Sequence, residues 1–371
     1  DDGVLHTRKV PSTVEDYSRG IMEGITELFR QTGVTAADVA EVLHGTTVAS
    51  NAIMELTGAR TGLITTRGFR DVLELRTLRM PRLYDIGWEK PPPLVPRYLR
   101  LEVTERVDAH GVVGQPLDRQ EVEDVVDRLV TEGVEAIAVC LINSFTNPEH
   151  ERLIGEVIAE RVKDAHYCLS VDVLPEIKEY DRTSTTVINA YLLPVLARYL
   201  HRLESELSIT GIEAPLLLMQ SNGGLTTAAA AARCPCNIIE SGPAGGVVGG
   251  HALSRRLALE RGITFDMGGT TAKASLLEDG QFSRAVDYSV GSDIMIGSRL
   301  LTGAGYRLRV PAIDLAEVGA GGGSLIWLDA GGAMQVGPRS AGADPGPVCY
   351  GRGGTRPTIT DANVVLGYLN P

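Results

Sequence analysis

The chain has 371 residues, 43% hydrophobic and 22% charged, enough for two or more domains with sizeable cores. Lys+Arg 35 against Asp+Glu 47 gives a net charge of −12 with no block of basic residues, which argues against electrostatic docking on nucleic acid or an anionic membrane. The longest strongly apolar run, Ala136 to Ile142, falls far short of the roughly 20 residues a spanning helix needs, and the acidic start is unlike a signal peptide, so a cytoplasmic protein is expected.

In chain order, helical spacing runs from Val14 to Phe29, followed by a short strand at Val42 to Thr46, a short helix at Ala49 to Leu56 and a strand at Gly62 to Thr66. From Thr77 to Pro116, Pro and Arg abound and periodicity fades, which predicts an irregular or β-rich excursion. Asp118 with Glu121 three residues on forms a capping-box signature ahead of Val122, Val125, Val126, Leu129 and Val130. Gly133 stops that helix. A buried strand at Ala136 to Ile142, a helix begun by Asn147-Pro148 and a strand at His166 to Val173 follow, an α/β alternation that implies parallel pairing. A long helix over Tyr180 to Leu207, with Pro194 as a kink point, is the natural connector to a second domain, and Pro215 to Gln220 opens a new strand.

Glycine marks the last third: 25 of the 42 glycines lie between Ser241 and Gly354. Glycine is retained where backbone turns sharply or must approach a ligand, so the site is expected there. Gly262 to Met267 and Ala272 to Leu277 read as two strands joined by Gly268-Gly269-Thr270-Thr271, with Asp266 at the end of the first. Backbone N–H groups of such a tip can converge on phosphate oxygens, the threonine hydroxyls add donors, and Asp266 can hold Mg²⁺ through water. An ordinary tight hairpin is the alternative.

Ser241-Gly-Pro-Ala-Gly-Gly246 precedes an apolar small-residue segment, which suggests a glycine loop at a helix N-terminus, with Gly242, Gly245 and Gly246 approaching an anion. Close helix packing explains the same residues equally well. Gly319-Ala-Gly-Gly-Gly-Ser324 lacks the lysine of a Walker loop and the context of a dinucleotide fold. His44, at a strand end, could sit at a cleft mouth as a proton carrier or hydrogen-bond donor. Asp181, Arg182, Asp361 and Asn363 are polar residues beside apolar patterns, with Asp361 a weak site candidate. The odd count of five cysteines suits reduced thiols, and Cys234-Pro-Cys236 has the wrong spacing for a zinc knuckle.

Taken together, His44-Gly-Thr-Thr-Val-Ala-Ser-Asn51, Leu63-Ile-Thr-Thr-Arg-Gly-Phe-Arg-Asp71, Met219-Gln-Ser-Asn-Gly-Gly224, Ser241-Gly-Pro-Ala-Gly-Gly246, Phe265-Asp-Met-Gly-Gly-Thr270 and Ala341-Gly-Ala-Asp-Pro-Gly-Pro347 resemble the hydantoinase/oxoprolinase family, in its hydantoinase A subunit. The resemblance implies two ribonuclease-H-like domains of the actin, sugar kinase and heat-shock ATPase superfamily, here divided as 1–180 and 181–371. It implies ATP with Mg²⁺ or Mn²⁺, ring opening of a cyclic amide such as a hydantoin or 5-oxoproline, and a hydantoinase B-type partner in a hetero-oligomer. A ketone carboxylase subunit of the acetone or acetophenone type and a non-catalytic assembly subunit are the alternatives. In this reading Asp266 orders the metal and acts in catalysis, Gly268, Gly269, Thr270 and Thr271 cradle phosphate, Gly242, Gly245 and Gly246 approach nucleotide, and His44 faces substrate. The family's first phosphate hairpin is expected before Asp1, and further family sequence is expected after Pro371. Many cyclic-amide-opening relatives carry Asp where this chain has Lys273.

Overall fold

The computed structural model describes residues 3–11, 13, 16–77, 84, 86, 87, 89–290, 305–318 and 320–370. The first helix, α1 (Tyr17–Thr32), starts where the Asp16 carboxylate accepts from the Ser18 N–H and stops at Gly33, whose φ of 75° a glycine adopts freely. The expected start at Val14 lies outside the described residues. There follow β1 (Val42–His44), α2 (Val48–Met54) and β2 (Thr61–Thr66). The proline-rich stretch holds only short pieces, among them β3 (Arg100–Val103), and its residues 78–83, 85 and 88 lie outside the described set.

The helix read from the capping signature is α3 (Arg119–Thr131), capped by Asp118, which accepts from the Gln120 N–H at 3.1 Å. Glu121 does not close the box. Its carboxylate accepts instead from the Thr104 N–H and hydroxyl, both at 2.9 Å, and pairs with Arg67, tying the helix to the segment after β3. Then come β4 (Ala136–Cys140), α4 (Glu149–Arg161) and β5 (His166–Leu169). The expected strand to Val173 is cut at Leu169. Glu151 on α4 accepts from the Ser170 hydroxyl at 2.6 Å and the Val171 N–H at 3.1 Å, and 170–173 form a helical turn.

These strands make a parallel sheet in the order β3-β2-β4-β5, with Leu63 opposite both Arg100 and Ala138. Every residue of β2 and β4 is buried, as in a sheet covered on both faces, and β4 reads accordingly as a continuous apolar run.

The long helix α5 (Glu179–Ile209) runs uninterrupted through Pro194 and serves two cores. Val187, Ala190 and Leu193 pack on the parallel sheet, whereas Ile188, Leu192, Leu196, Leu200 and Leu203 pack on a second core with Met22, Ile53 and Leu218. That second core includes β6 (Leu216–Met219), which pairs parallel to β1 on one side and antiparallel to β7 (Leu225–Thr227) on the other. One sheet therefore joins strands from both sides of residue 180.

Helix α6 (Ser241–Arg256) leads to the expected hairpin of β8 (Gly262–Met267) and β9 (Ala272–Glu278), paired with Met267 opposite Ala272. β10 (Ala316–Val318) pairs with the first half of β9. Helix α7 (Ile359–Val365) closes the described chain. Among the described residues no helix is long and apolar enough to cross a membrane.

Candidate nucleotide-binding site

The hairpin tip is held from below by glycine backbone. Gly268 N–H donates to Thr271 O at 2.9 Å, and the carbonyls of Gly268 and Gly269 accept from Gly322 and Gly323 N–H at 2.9 and 2.7 Å. A Cβ on Gly321 would lie 2.7 Å from three backbone atoms of residues 268–270. The run 320–323 is thus a platform that only glycine lets approach so closely, which accounts for a motif fitting neither a Walker loop nor a dinucleotide fold; its first residue, Gly319, lies outside the described set. Above the platform, the N–H groups of Gly269, Thr270 and Thr271 find no protein acceptor among the described residues. Exposed backbone donors on a braced turn are what an anion such as phosphate requires.

Strand register sets the charges. Asp266, Lys273 and Glu317 lie directly opposite one another across β8, β9 and β10, so all three side chains project to one face. The Lys273 ammonium is buried, 2.5 Å from Glu240 and 3.8 Å from Glu317. Burial pulls its pKa down, but Glu240, Glu317 and Asp266 together outweigh that and hold it above the ordinary lysine value. Burial pushes Glu317 up, against the pull of Lys273 and the Thr271 hydroxyl. One cation thus faces three carboxylates, and Asp266, the exposed member, has no ion pair at salt-bridge distance among the described residues. The partners Glu240 and Glu317 were not legible as such, although a lysine between alanines inside a strand already demanded a buried counter-charge.

The Ser241 to Gly246 motif is not a loop before a helix but the first turns of α6 itself. Ser241 explains this: its Oγ accepts from Thr46 N–H at 3.0 Å and donates to Thr46 O at 2.7 Å, while Gly242 N–H donates to the same carbonyl at 3.3 Å. Gly242 therefore spends its donor on the 45–47 segment. A Cβ on Gly250 would meet Thr264 Cγ2 at 2.5 Å, a close-packing role, whereas one on Gly246 would meet nothing within 4 Å. Close packing and open backbone coexist on one helix.

His44 ends β1 half-buried, its Nε2 2.7 Å from the Tyr199 hydroxyl on α5. Burial lowers its pKa to about 4, so the imidazole is neutral near pH 7. Among the described residues no hydrogen bond or ion pair joins it to the hairpin. Asp361 is a cap: it accepts from the N–H groups of Val348, Cys349 and Thr358 and from the Thr358 hydroxyl. Burial raises its pKa, but these donors outweigh that and bring it to about 2. Asp181 lies 3.4 Å from Arg307 and 3.8 Å from Arg309. Arg182, fully buried, donates to Ser144 Oγ and Leu141 O, both at 2.6 Å, and Ser144 donates to Glu151. Among the described residues no group of three or more His, Cys, Asp or Glu could hold a metal by itself.

Two family descriptions cover this architecture: hydantoinase/oxoprolinase matches residues 182–371, and the hydantoinase/oxoprolinase N-terminal region matches 1–162. The chain belongs to the hydantoinase/oxoprolinase family. It is 38% identical to the caprolactamase subunit alpha of Pseudomonas jessenii over 99% of this chain and 52% of that one. The acetophenone carboxylase gamma subunit of Aromatoleum aromaticum is 33% identical over 100% of this chain and 51% of its own length. The nucleotide-free structure of acetone carboxylase superposes with a TM-score of 0.81 at 28% identity, covering 97% of this chain and 51% of that one, and the ATP-dependent caprolactamase structure from Pseudomonas jessenii with 0.79 at 37%, covering 100% and 52%. The α/β fold is that of these enzymes. The chain spans about half the length of the curated relatives it matches.

Proposed function

We propose that the protein containing this chain opens a cyclic amide, a hydantoin, 5-oxoproline or another lactam, by ATP-driven phosphorylation of the amide oxygen. The observation that carries this reading is the braced hairpin tip, whose N–H groups meet no acceptor among the described residues, beside an exposed carboxylate in a chain 38% identical along its length to a caprolactamase subunit. An amide oxygen attacking the γ-phosphorus breaks the bond to the β–γ bridging oxygen and releases ADP. Water adds to the activated ring carbon, the ring nitrogen takes up a proton and leaves as the carbon–nitrogen bond breaks, and a second water hydrolyses the resulting acyl phosphate to carboxylate and phosphate.

In this reading Gly269, Thr270 and Thr271 donate N–H groups to phosphate, with Gly268 fixing the turn. Gly245 and Gly246 lie on the helix the nucleotide approaches, and His44 serves the substrate side as a neutral hydrogen-bonding group. The donors present suit a hard divalent cation, Mg²⁺ or Mn²⁺: Asp266 is exposed, and Asp266 and Glu317 on the sheet, with Glu240 ahead of α6, set three carboxylates against one ammonium. Such an ion, held by Asp266 together with phosphate oxygens, would neutralise phosphate charge. A hydantoinase B-type subunit is the proposed partner.

Calorimetry of Mg·ATP with this chain tests the reading, with Gly269→Val as control. A Cβ at Gly269 meets no protein atom within 4 Å, so the side chain is added on an open side of the tip. Binding by the parent and its loss in the variant is the expected result; equal binding by both would remove the hairpin from the site. The TM-score of 0.81 to acetone carboxylase supports a second reading, ketone carboxylation, which ATP turnover dependent on bicarbonate in the protein with its partner would distinguish.

A further inference from the structure

The Cys234-Pro-Cys236 turn plays no part in the nucleotide site, yet its geometry is specific. The two Sγ atoms lie 3.5 Å apart. Pro235 opens a 3-10 turn over Pro235–Ile238, so the two cysteines flank the first residue of that turn. Asn189, buried on α5, braces the turn from both sides: its Oδ1 accepts from Cys236 N–H at 3.2 Å and its Nδ2 donates to Arg233 O at 3.4 Å.

The two thiols differ in access. Cys236 is fully buried, whereas Cys234 is partly exposed and opens on a groove that Leu169, Gln220, Ala230 and Asn237 also line. The hydrogen bond with Cys236 favours the Cys234 thiolate, and the same contact together with burial keeps the Cys236 proton in place. An accessible thiol whose ionisation is favoured, beside a buried thiol that holds its proton more tightly, is the arrangement of an attacking and a resolving cysteine.

We infer that Cys234 and Cys236 are a redox modification site, closing to a reversible disulfide when a hydroperoxide enters by this groove. The Cys234 sulfur attacks the peroxide oxygen, the O–O bond breaks, and the departing oxide takes up a proton. Cys234 is left as a sulfenic acid. Cys236 then gives up its proton and attacks the Cys234 sulfur; the S–O bond breaks and water departs. Two thiols lose two electrons and two protons, and one hydroperoxide becomes an alcohol and water. Closing the sulfurs from 3.5 Å to a bond of about 2.05 Å needs side-chain rotation within the turn rather than movement of a distant segment. Cys168, also on the groove, is the competing thiol, but its sulfur donates to Thr186 O at 3.3 Å.

The experiment is peptide mass analysis after hydrogen peroxide treatment of this chain, with free thiols blocked before tryptic digestion. Cleavage after Arg233 and Arg255 places both cysteines in one peptide, while Cys168 falls in 164–178 and the exposed Cys349 in 340–352. We expect the 234–255 peptide to lose two hydrogens and escape blocking, dithiothreitol to restore both thiols, and Cys236→Ser to accumulate a dimedone-reactive sulfenic acid at Cys234. A 234–255 peptide that stays fully reduced while Cys349 in the same sample is oxidised would overturn the proposal. So would Cys234 recovered in a cross-link to 164–178. The parent result stands on its own if the serine variant fails to fold.

Discussion

The parallel sheet and the hairpin sheet are built on opposite terms. In the first, β2 and β4 are buried along their whole length and the surrounding core takes in Leu63, Ile64, Val139, Ile154 and Leu129. In the second, the core cluster is Ala244, Val247, Leu277 and Ile313, while Ile263 and Phe265 on β8 are 71% and 67% exposed. The first region holds its shape by apolar burial, which is large and insensitive to detail. The second holds it by backbone approach, with glycine carbonyls and amides locked at 2.7 to 2.9 Å under the tip, which is small in energy and exacting in geometry. Scaffold and site therefore fail differently: substitutions in the scaffold should unfold the chain, and substitutions at the site should loosen the hairpin while the scaffold stands.

The largest effect falls in the scaffold. Arg182→Met removes a buried guanidinium bonded to Ser144 and Leu141 and leaves Glu151, fully buried among its hydrogen-bond donors, without the cation linked to it through Ser144. A loss of about 3–5 kcal/mol in denaturant titration is expected, and a loss below about 1 kcal/mol would show that Glu151 needs no cation. On the site side, Gly321→Ala forces a methyl against three backbone atoms at 2.7 Å. The expected loss is about 1–3 kcal/mol, read locally: amide exchange quickens over 262–278 and stays slow over 61–66 and 136–140. Equal quickening in both regions would join the two sheets into one cooperative unit.

Legibility in the sequence divides along the same line. Local signals were enough for the helices at 119–131 and 149–161, the strands at 61–66 and 136–140, and the Asp266 to Thr271 hairpin, because period and punctuation carry them. What escaped was non-local. Nothing near Val42 announces that it pairs with Leu216. Glu151 reads as an ordinary first-turn acid of a helix, yet it is fully buried and accepts from Leu141, Ser144, Ser170 and Val171. Glu105 and His150 likewise form a buried pair at 2.8 Å from positions that look solvent-facing. The motif at Ser241 reads as a loop because glycine disfavours helix, and only the Thr46 backbone, far away in sequence, shows why the helix starts there.

A smaller effect concerns the end of β1, where His44 meets Tyr199 of α5. Its pKa is lowered in the folded state from 6.5 to about 4, so the unfolded chain binds the proton more tightly. The associated stability is complete above pH 6.5 and is lost as the pH falls toward 4. The shift sets a ceiling of about 3 kcal/mol, and partial exposure reduces the expected value to about 1–2 kcal/mol. His44→Gln keeps a hydrogen-bonding group for Tyr199 without a titration. Denaturant titrations at pH 7 and 4.5 should show the parent losing more stability than the variant; parallel losses would assign the acid sensitivity elsewhere.

The smallest effect separates packing from ligand approach on a single helix. Gly246 lies inside α6 with open space where a Cβ would stand, so alanine there should stabilise the free chain by about 0.5–1 kcal/mol through reduced backbone entropy in the unfolded state. A methyl group that improves the apo protein but lowers Mg·ATP affinity would mean that the space is kept for nucleotide, since no protein contact opposes it. Alanine at Gly250 is the companion measurement. Its methyl meets the Thr264 side chain at 2.5 Å, so it should cost stability by pushing α6 off β8. If Gly246→Ala stabilises the chain and leaves nucleotide affinity unchanged, the glycines of α6 serve packing at Gly250 alone, and the nucleotide site narrows to the hairpin tip.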